Sequence, residues 1–161
     1  MKTIYLAGGC FWGVEEYFSR IDGVKDTKAG YANSQKQNPT YEEVCSGSTN
    51  AAEALLVEYD ENSIDLKTLL EYYFRIIDPI SLNKQGPDVG TQYRTGIYYV
   101  DLSDAKTVKN YVQTVQVKYD EKLAVEVMEL QNFFNAEEYH QDYLKKNPNG
   151  YCHIDLSSMK K

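Results

Sequence analysis

The chain has 161 residues, 42% of them hydrophobic, and a formal net charge of −7. That is the length of one domain with a real core, and the acidic balance speaks against nucleic-acid binding. No run approaches the roughly 18–20 apolar residues of a membrane span, and Met1–Tyr5 is too short for a secretory signal, so the cytoplasm is the expected compartment.

"TIYL", Thr3–Leu6, reads as a short buried strand that Gly8-Gly9 breaks. From Cys10 the spacing turns helical, with Phe11, Val14, Phe18 and Ile21 on one face, and Asp22-Gly23 ends the run. Val24–Tyr31 is a second strand, followed by the polar loop Ala32–Asn38 up to Pro39. Leu55–Tyr59 is a third strand. Asp65–Ile77 carries a helical stripe that Ser63 or Asp65 would cap and Pro79 stops. Leu82–Tyr93 reads as a long loop and Thr95–Val100 as a strand. Ser103 or Asp104 would start a helix reaching about Tyr119, followed by a short strand at Ala124–Glu129. Ala136–Lys145 reads as a polar helix stopped by Pro148, and Gly150–Lys161 as a mobile tail. The two long loops, "NPTYEEVCSGS" and "SLNKQGPDVGTQYR", point to function, because compact domains keep few such loops otherwise.

The chain has three cysteines, Cys10, Cys45 and Cys152, none close to another in sequence. An odd, sparse set argues against a structural disulfide framework. There is no C-x-x-C, and His140 and His153 are the only imidazoles, so no metal site is expected. The Gly-Gly turn brings Cys10 to a helix N-terminus, where partial positive charge favours the thiolate and the glycines leave the thiol exposed. Phe11 and Trp12 point about 100° apart, so one of them, Trp12, should stand at the surface beside Cys10. An aromatic there suggests an apolar pocket for a small group such as a methyl. Cys152, in the Gly- and Pro-containing "NPNGYCHI", is placed to resolve an oxidised first cysteine as a disulfide. Cys45 reads as a bystander. Glu53 and Asp88 are candidate carboxyl groups, since burial turns such a group into a proton donor at neutral pH.

Four stretches together resemble one family. "GGCFWGVE" (Gly8–Glu15), "NPTYEEVCSG" (Asn38–Gly47), "DVGTQYRTGIYY" (Asp88–Tyr99) and "EEYHQDYLKKNP" (Glu137–Pro148) with Tyr151-Cys152 are very similar, in order, to the signatures of the A-type peptide methionine sulfoxide reductases. The resemblance implies an α+β, ferredoxin-like plait with long functional loops. It implies reduction of methionine S-sulfoxide, free or in proteins, as protein repair under oxidative stress. Carried over by position, Cys10 is the nucleophile and Glu53 the acid that protonates the sulfoxide oxygen. Tyr41 and Tyr93 are the phenols that hydrogen-bond that oxygen. Phe11 and Trp12 hold the substrate methyl, Asp88 binds substrate, and His140 and Tyr143, three apart on one helix face, line the site. Cys152 resolves the Cys10 sulfenic acid, and thioredoxin reopens the resulting disulfide. No cofactor, metal, nucleic acid or membrane enters this scheme, and a monomer is expected.

The family's usual Gly-His-Ala-Glu is Asn50-Ala51-Ala52-Glu53 here, and a second frequent histidine is Ile77. No imidazole at those places is left to tune Glu53. The tail holds no further recycling cysteine beyond Cys152, which favours the single Cys10–Cys152 step. "YCHIDLSS" resembles the junction of fused A-type and B-type reductases, so the expected division is a reductase domain over 1–154 and a tail over 155–161, a linker if the chain is part of a fusion. A thiol peroxidase or general disulfide reductase, turning over peroxide without Trp12 or Glu53, is one rival reading. A non-catalytic module that binds oxidised methionine peptides is the other.

Overall fold

The computed structural model describes residues 1–154. The elements run β1 (Lys2–Gly8), α1 (Phe11–Ser19), β2 (Val24–Ala32), α2 (Tyr41–Cys45), β3 (Ala52–Tyr59) and α3 (Leu66–Ile76). A two-residue pair, β4 (Lys84–Gln85) and β5 (Asp88–Val89), precedes β6 (Thr95–Tyr99), α4 (Leu102–Gln116), β7 (Glu126–Glu129), β8 (Phe133–Asn135) and α5 (Tyr143–Lys146).

The main sheet has the order β7-β6-β1-β3-β2-β8. Its centre, β6-β1-β3-β2, is antiparallel throughout. With α1 and α3 as the two crossovers, this is the ferredoxin-like β-α-β-β-α-β plait that the resemblance implied. β7 joins one edge parallel to β6, and β8 joins the other antiparallel to β2.

The inward positions alternate as a half-buried sheet requires. Ile4, Leu6, Leu55, Val57 and Ile97 form the sheet's side of the core. Val14, Tyr17 and Phe18 of α1 and Leu69, Leu70 and Tyr73 of α3 close over them. Each fully buried aliphatic side chain contributes about 1.5–3 kcal/mol. Small residues and Tyr98 fill the opposite face (Ala7, Ala32, Ala52, Ala54), under Tyr5, Leu130 and Phe133. Tyr73 Oη donates to the Ala7 carbonyl at 2.6 Å and accepts the Gly96 N–H at 3.1 Å. It thereby ties the end of β1 to the start of β6 beside the turn that leads into α1.

Several boundaries differ from the sequence reading. Asp65 caps α3 as expected, through the Thr68 N–H at 2.9 Å, but α4 is capped by Asp101, not Ser103 or Asp104. β3 begins at Ala52, because Ala52–Ala54 pair with Gly30–Ala32 although they carry little apolar bulk. α2 was missed. Its signal is "TYEE", a capping box in which Thr40 accepts from the Glu43 N–H at 3.2 Å and Glu43 accepts from the Thr40 N–H at 2.9 Å. The expected helix at Ala136–Lys145 does not form. A 3-10 turn over Glu138–His140 and the short α5 replace it, separated by Asp142 at φ 52. Tertiary bonds compete for that segment's backbone. Gln141 bridges to Ala29 at 2.9 and 2.8 Å, and Glu15 accepts the Asp142 N–H at 2.7 Å. Residues 152–154 pack against the domain, Tyr151 is exposed but tied to Asp88, and the tail expected over 155–161 lies outside the described residues.

Candidate active site

Gly9 turns the chain at φ 87, a conformation glycine adopts without strain, and delivers Cys10 as the N-cap of α1. The thiol is not exposed as expected: Cys10 is only 8% accessible. Nor is it a resting thiolate. Burial raises its pKa strongly, and the nearby Glu53, Asp88 and Cys152 add to this. The Trp12 amide opposes the shift in part. The helix terminus therefore lowers the cost of a thiolate, while the dry surroundings keep the free protein's sulfur protonated.

Glu53 comes from β3, opposite Tyr31 of β2, and is 1% accessible. Its Oε1 accepts the Phe11 N–H at 3.2 Å, so the first turn of α1 serves both the thiol and the acid. Burial pushes its pKa up to about 8, against the Phe11 hydrogen bond. At neutral pH the group is a carboxylic acid. Since Oε1 is an acceptor, the proton sits on Oε2, which is buried and has no hydrogen-bond partner among the described residues. Ala51 and Ile77, which stand where the resembled family often has histidine, are packing positions. Ala51 is 1% accessible, and Ile77 lies 2.9 Å from where a Gly8 Cβ would stand.

The capping box of α2 sets Tyr41 at its first position, and Glu137 pins it there by accepting the Tyr41 N–H at 2.9 Å and the Tyr31 hydroxyl at 2.8 Å. Tyr93 ends a 3-10 turn beyond β5. Both phenols are pushed up by burial and by the Glu53 charge, so both remain O–H donors at neutral pH. Cys45, read as a bystander, interacts with the Tyr41 phenol and stands at the edge of this group.

Phe11 is buried against Tyr31 and His140, and Trp12 is half-exposed, as the 100° offset required. His140 and Tyr143 do not share a helix face, yet both hold Trp12. His140 Nδ1 accepts the indole N–H at 2.9 Å, and Tyr143 stacks on the indole at 3.7 Å and 8°. Burial lowers the His140 pKa, which keeps the ring a neutral acceptor. Asp88 faces the tail: it accepts the Tyr151 hydroxyl at 2.9 Å, and its charge reaches Cys10 and Glu53. Cys152 lies on α1, its sulfur 2.8 Å from where a Gly13 Cβ would stand. All three cysteines are free thiols.

Sequence reasoning overlooked Glu137, Tyr151 and His153. Glu137 sits in a quoted motif but has no reactive role of its own, and the other two matter only because the tail folds back. Among the described residues no helix is long and apolar enough to cross a membrane.

A buried thiol at a helix start, within the field of a neutral carboxylic acid and two phenols, suits a thiol-dependent oxidoreductase that removes oxygen from its substrate. The chain belongs to the peptide methionine sulfoxide reductase family, whose sequence model matches residues 2–161, and it is a methionine sulfoxide reductase. It is 62% identical over 156 residues to the peptide methionine sulfoxide reductase MsrA of Clostridium perfringens strain 13, covering 97% of this chain and 99% of the relative. It is similar to the reduced form of Mxr1 from Saccharomyces cerevisiae, with a TM-score of 0.90, 42% identity, and coverage of 96% and 91% of the two chains. Mxr1 in complex with Trx2 also matches, with a TM-score of 0.64, 30% identity, and coverage of 88% and 84%.

Proposed function

We propose that this reductase acts on methionine S-sulfoxide, free or in proteins, with Cys10 as nucleophile, Glu53 as acid and Cys152 as resolving thiol. The observation that carries the reading is the Glu53 carboxylic acid, kept protonated by burial beside the Cys10 thiol. An S–O oxygen leaves sulfur poorly until it is protonated. Glu53 supplies that proton, and Tyr41 and Tyr93 donate hydrogen bonds as charge grows on the oxygen. Cys10 sulfur attacks the substrate sulfur, the substrate S–O bond breaks, and methionine departs. The oxygen and one proton end on Cys10 as a sulfenic acid. Cys152 then displaces water and forms the Cys10–Cys152 disulfide. Thioredoxin reopens it by thiol exchange, a step the Mxr1–Trx2 likeness supports. Phe11 and Trp12 wall the methyl site, with His140 and Tyr143 fixing the indole. Asp88, which accepts the Tyr151 hydroxyl, is the substrate-binding acid. The setting is protein repair in the cytoplasm by a monomer.

Cys152→Ser is expected to release about one methionine per chain in a single-turnover assay, since Cys10 alone attacks, and then to stall with thioredoxin as reductant. Mass spectrometry of the oxidised wild type should find Cys10–Cys152. A Cys10–Cys45 pair in its place would sink the tail-resolution scheme. Tyr41→Phe or Tyr93→Phe should each slow methionine release by about 10-fold, one hydrogen bond's worth. The double variant should lose more than either. A double variant as fast as one single would show that only one phenol touches the oxygen.

A further inference from the structure

The glycines around Cys10 make room for more than a turn. A Cβ at Gly9 would stand 2.6 Å from His153 Nε2, and one at Gly13 would stand 2.8 Å from Cys152 Sγ and 3.6 Å from His153 Nδ1. The tail is therefore seated in a cradle formed by the end of β1 and the first turns of α1. Ile154 anchors it in the core at 8% accessibility, and Tyr151 anchors it on Asp88. His153 Nε2 lies 2.9 Å from the Gly8 carbonyl. A carbonyl only accepts, so Nε2 carries the hydrogen and Nδ1 is left with a bare lone pair. That side chain is 3% accessible, and Nδ1 has no hydrogen-bond partner among the described residues. It borders the Gly13 position that the Cys152 sulfur also borders. The Asp88 carboxylate stands 3.9 Å from this nitrogen.

We propose that His153 is the base of the resolving step, taking the Cys152 proton at Nδ1 while Asp88 holds the imidazolium that forms. The inference rests on the Cys10–Cys152 pairing proposed above. In the resting protein the Cys152 thiol donates to the Ile154 carbonyl at 3.4 Å. Once Cys10 is a sulfenic acid, the Cys152 proton passes to Nδ1 and its sulfur attacks the Cys10 sulfur. The Cys10 S–O bond breaks, and the oxygen leaves as water with the proton the imidazolium returns. Cys152 sulfur is oxidised and Cys10 sulfur reduced, both to the disulfide level, with no outside reagent. The base is needed because burial, with the Glu16 charge, raises the Cys152 pKa above that of an ordinary thiol. Burial lowers that of His153, against the Gly8 contact and Asp88, so the ring is neutral and ready at physiological pH. The groups facing this pair are Asp88 from β5, Cys10, Glu16 and Arg20 from the α1 side, the Gly8 carbonyl from β1, and the Tyr151 phenol of the tail itself, which donates to Asp88.

The test is disulfide formation in a single turnover with methionine sulfoxide, followed by thiol counting and mass spectrometry across about pH 6–9, a range bracketing free imidazole and thiol. In the wild type the rate should level off above the imidazole's pKa. His153→Gln keeps an N–H for the Gly8 carbonyl but loses the basic nitrogen. It should release its first methionine at the wild-type rate, which also reports a folded protein. Its disulfide should form about 10²-fold more slowly at pH 7, the low end for a lost general base. That rate should then climb about tenfold per pH unit toward the wild-type value, as hydroxide replaces the base. Gly13→Ala, which displaces the tail sulfur, should lose rate equally at every pH. A His153→Gln profile as flat as that of Gly13→Ala, or a disulfide rate equal to wild type, overturns the base. A wild-type rate that itself climbs without levelling does the same. If the wild type forms no Cys10–Cys152 disulfide at any pH, the pairing itself has failed, and that result appears before His153 is varied.

Discussion

Cys10→Ser is expected to abolish methionine sulfoxide reduction with either dithiothreitol or thioredoxin, while Cys45→Ser keeps nearly all of it. Serine oxygen holds its proton far more tightly than sulfur, and burial at this position makes an anion costlier still. More decisively, an oxygen nucleophile cannot carry the sulfenic oxidation state, so the substrate's oxygen has no acceptor. Cys45 is the last residue of the short α2, not the start of a long helix, and its side-chain partner is the Tyr41 phenol. A serine there still offers a hydroxyl to Tyr41. Methionine release after mixing enzyme with the sulfoxide measures both variants. Equal loss in the two would reverse the assignment. The same assay separates the rival readings: a thiol peroxidase would turn over peroxide without Trp12 or Glu53, and a binding module would release no methionine at all.

Glu53→Gln should slow the chemical step by about 10²-fold or more, within the range of a lost general acid. The amide still donates a hydrogen bond to the oxygen but has no proton to give. Affinity for substrate should change little, because Phe11 and Trp12 are untouched. The pH dependence follows from the pKa raised to about 8. The acid is competent below that value and is lost as pH rises through it, so the wild-type rate of methionine release should fall on the alkaline side. The same shift has a sign for stability. The unfolded chain releases this proton near the ordinary carboxyl value of 4.5, whereas the folded chain holds it to about 8. Stability therefore declines as pH rises between those values. Glu53→Gln should lose that decline and melt at a higher temperature than the wild type at pH 8. If the variant forms the Cys10 sulfenic acid at the wild-type rate across neutral pH, Glu53 is not the acid.

Local patterns carried much of this protein into view. The glycines before Cys10, the stripe of α1, the Asp65 cap and the strand alternation at Thr3–Leu6 and Thr95–Val100 depend on near neighbours in the chain, which periodicity and capping rules read directly. So did the offset that puts Trp12 at the surface and Phe11 inside. The resemblance of four ordered motifs supplied the plait and the family. The capping box at Thr40–Glu43 was equally local, and α2 was legible to a reading that applied it.

What only the tertiary structure decided is where distant groups meet, and with it every proton's place. A helix start by itself argues for a thiolate at Cys10. The burial of that turn under the tail, with Glu53 brought in from β3, keeps the sulfur protonated and makes the carboxyl group an acid. Ala136–Lys145 reads as a helix by composition, but Gln141 and Asp142 are claimed by Ala29 and Glu15, more than a hundred residues away. Trp12 is oriented by His140 and Tyr143, whose spacing alone suggested a shared helix face. Residues 152–154 look like a loose end in sequence. They pack down because Gly9 and Gly13 leave a space that only a folded chain creates. Dielectric surroundings and long-range hydrogen bonds are properties of that packed arrangement, so no window of sequence contains them.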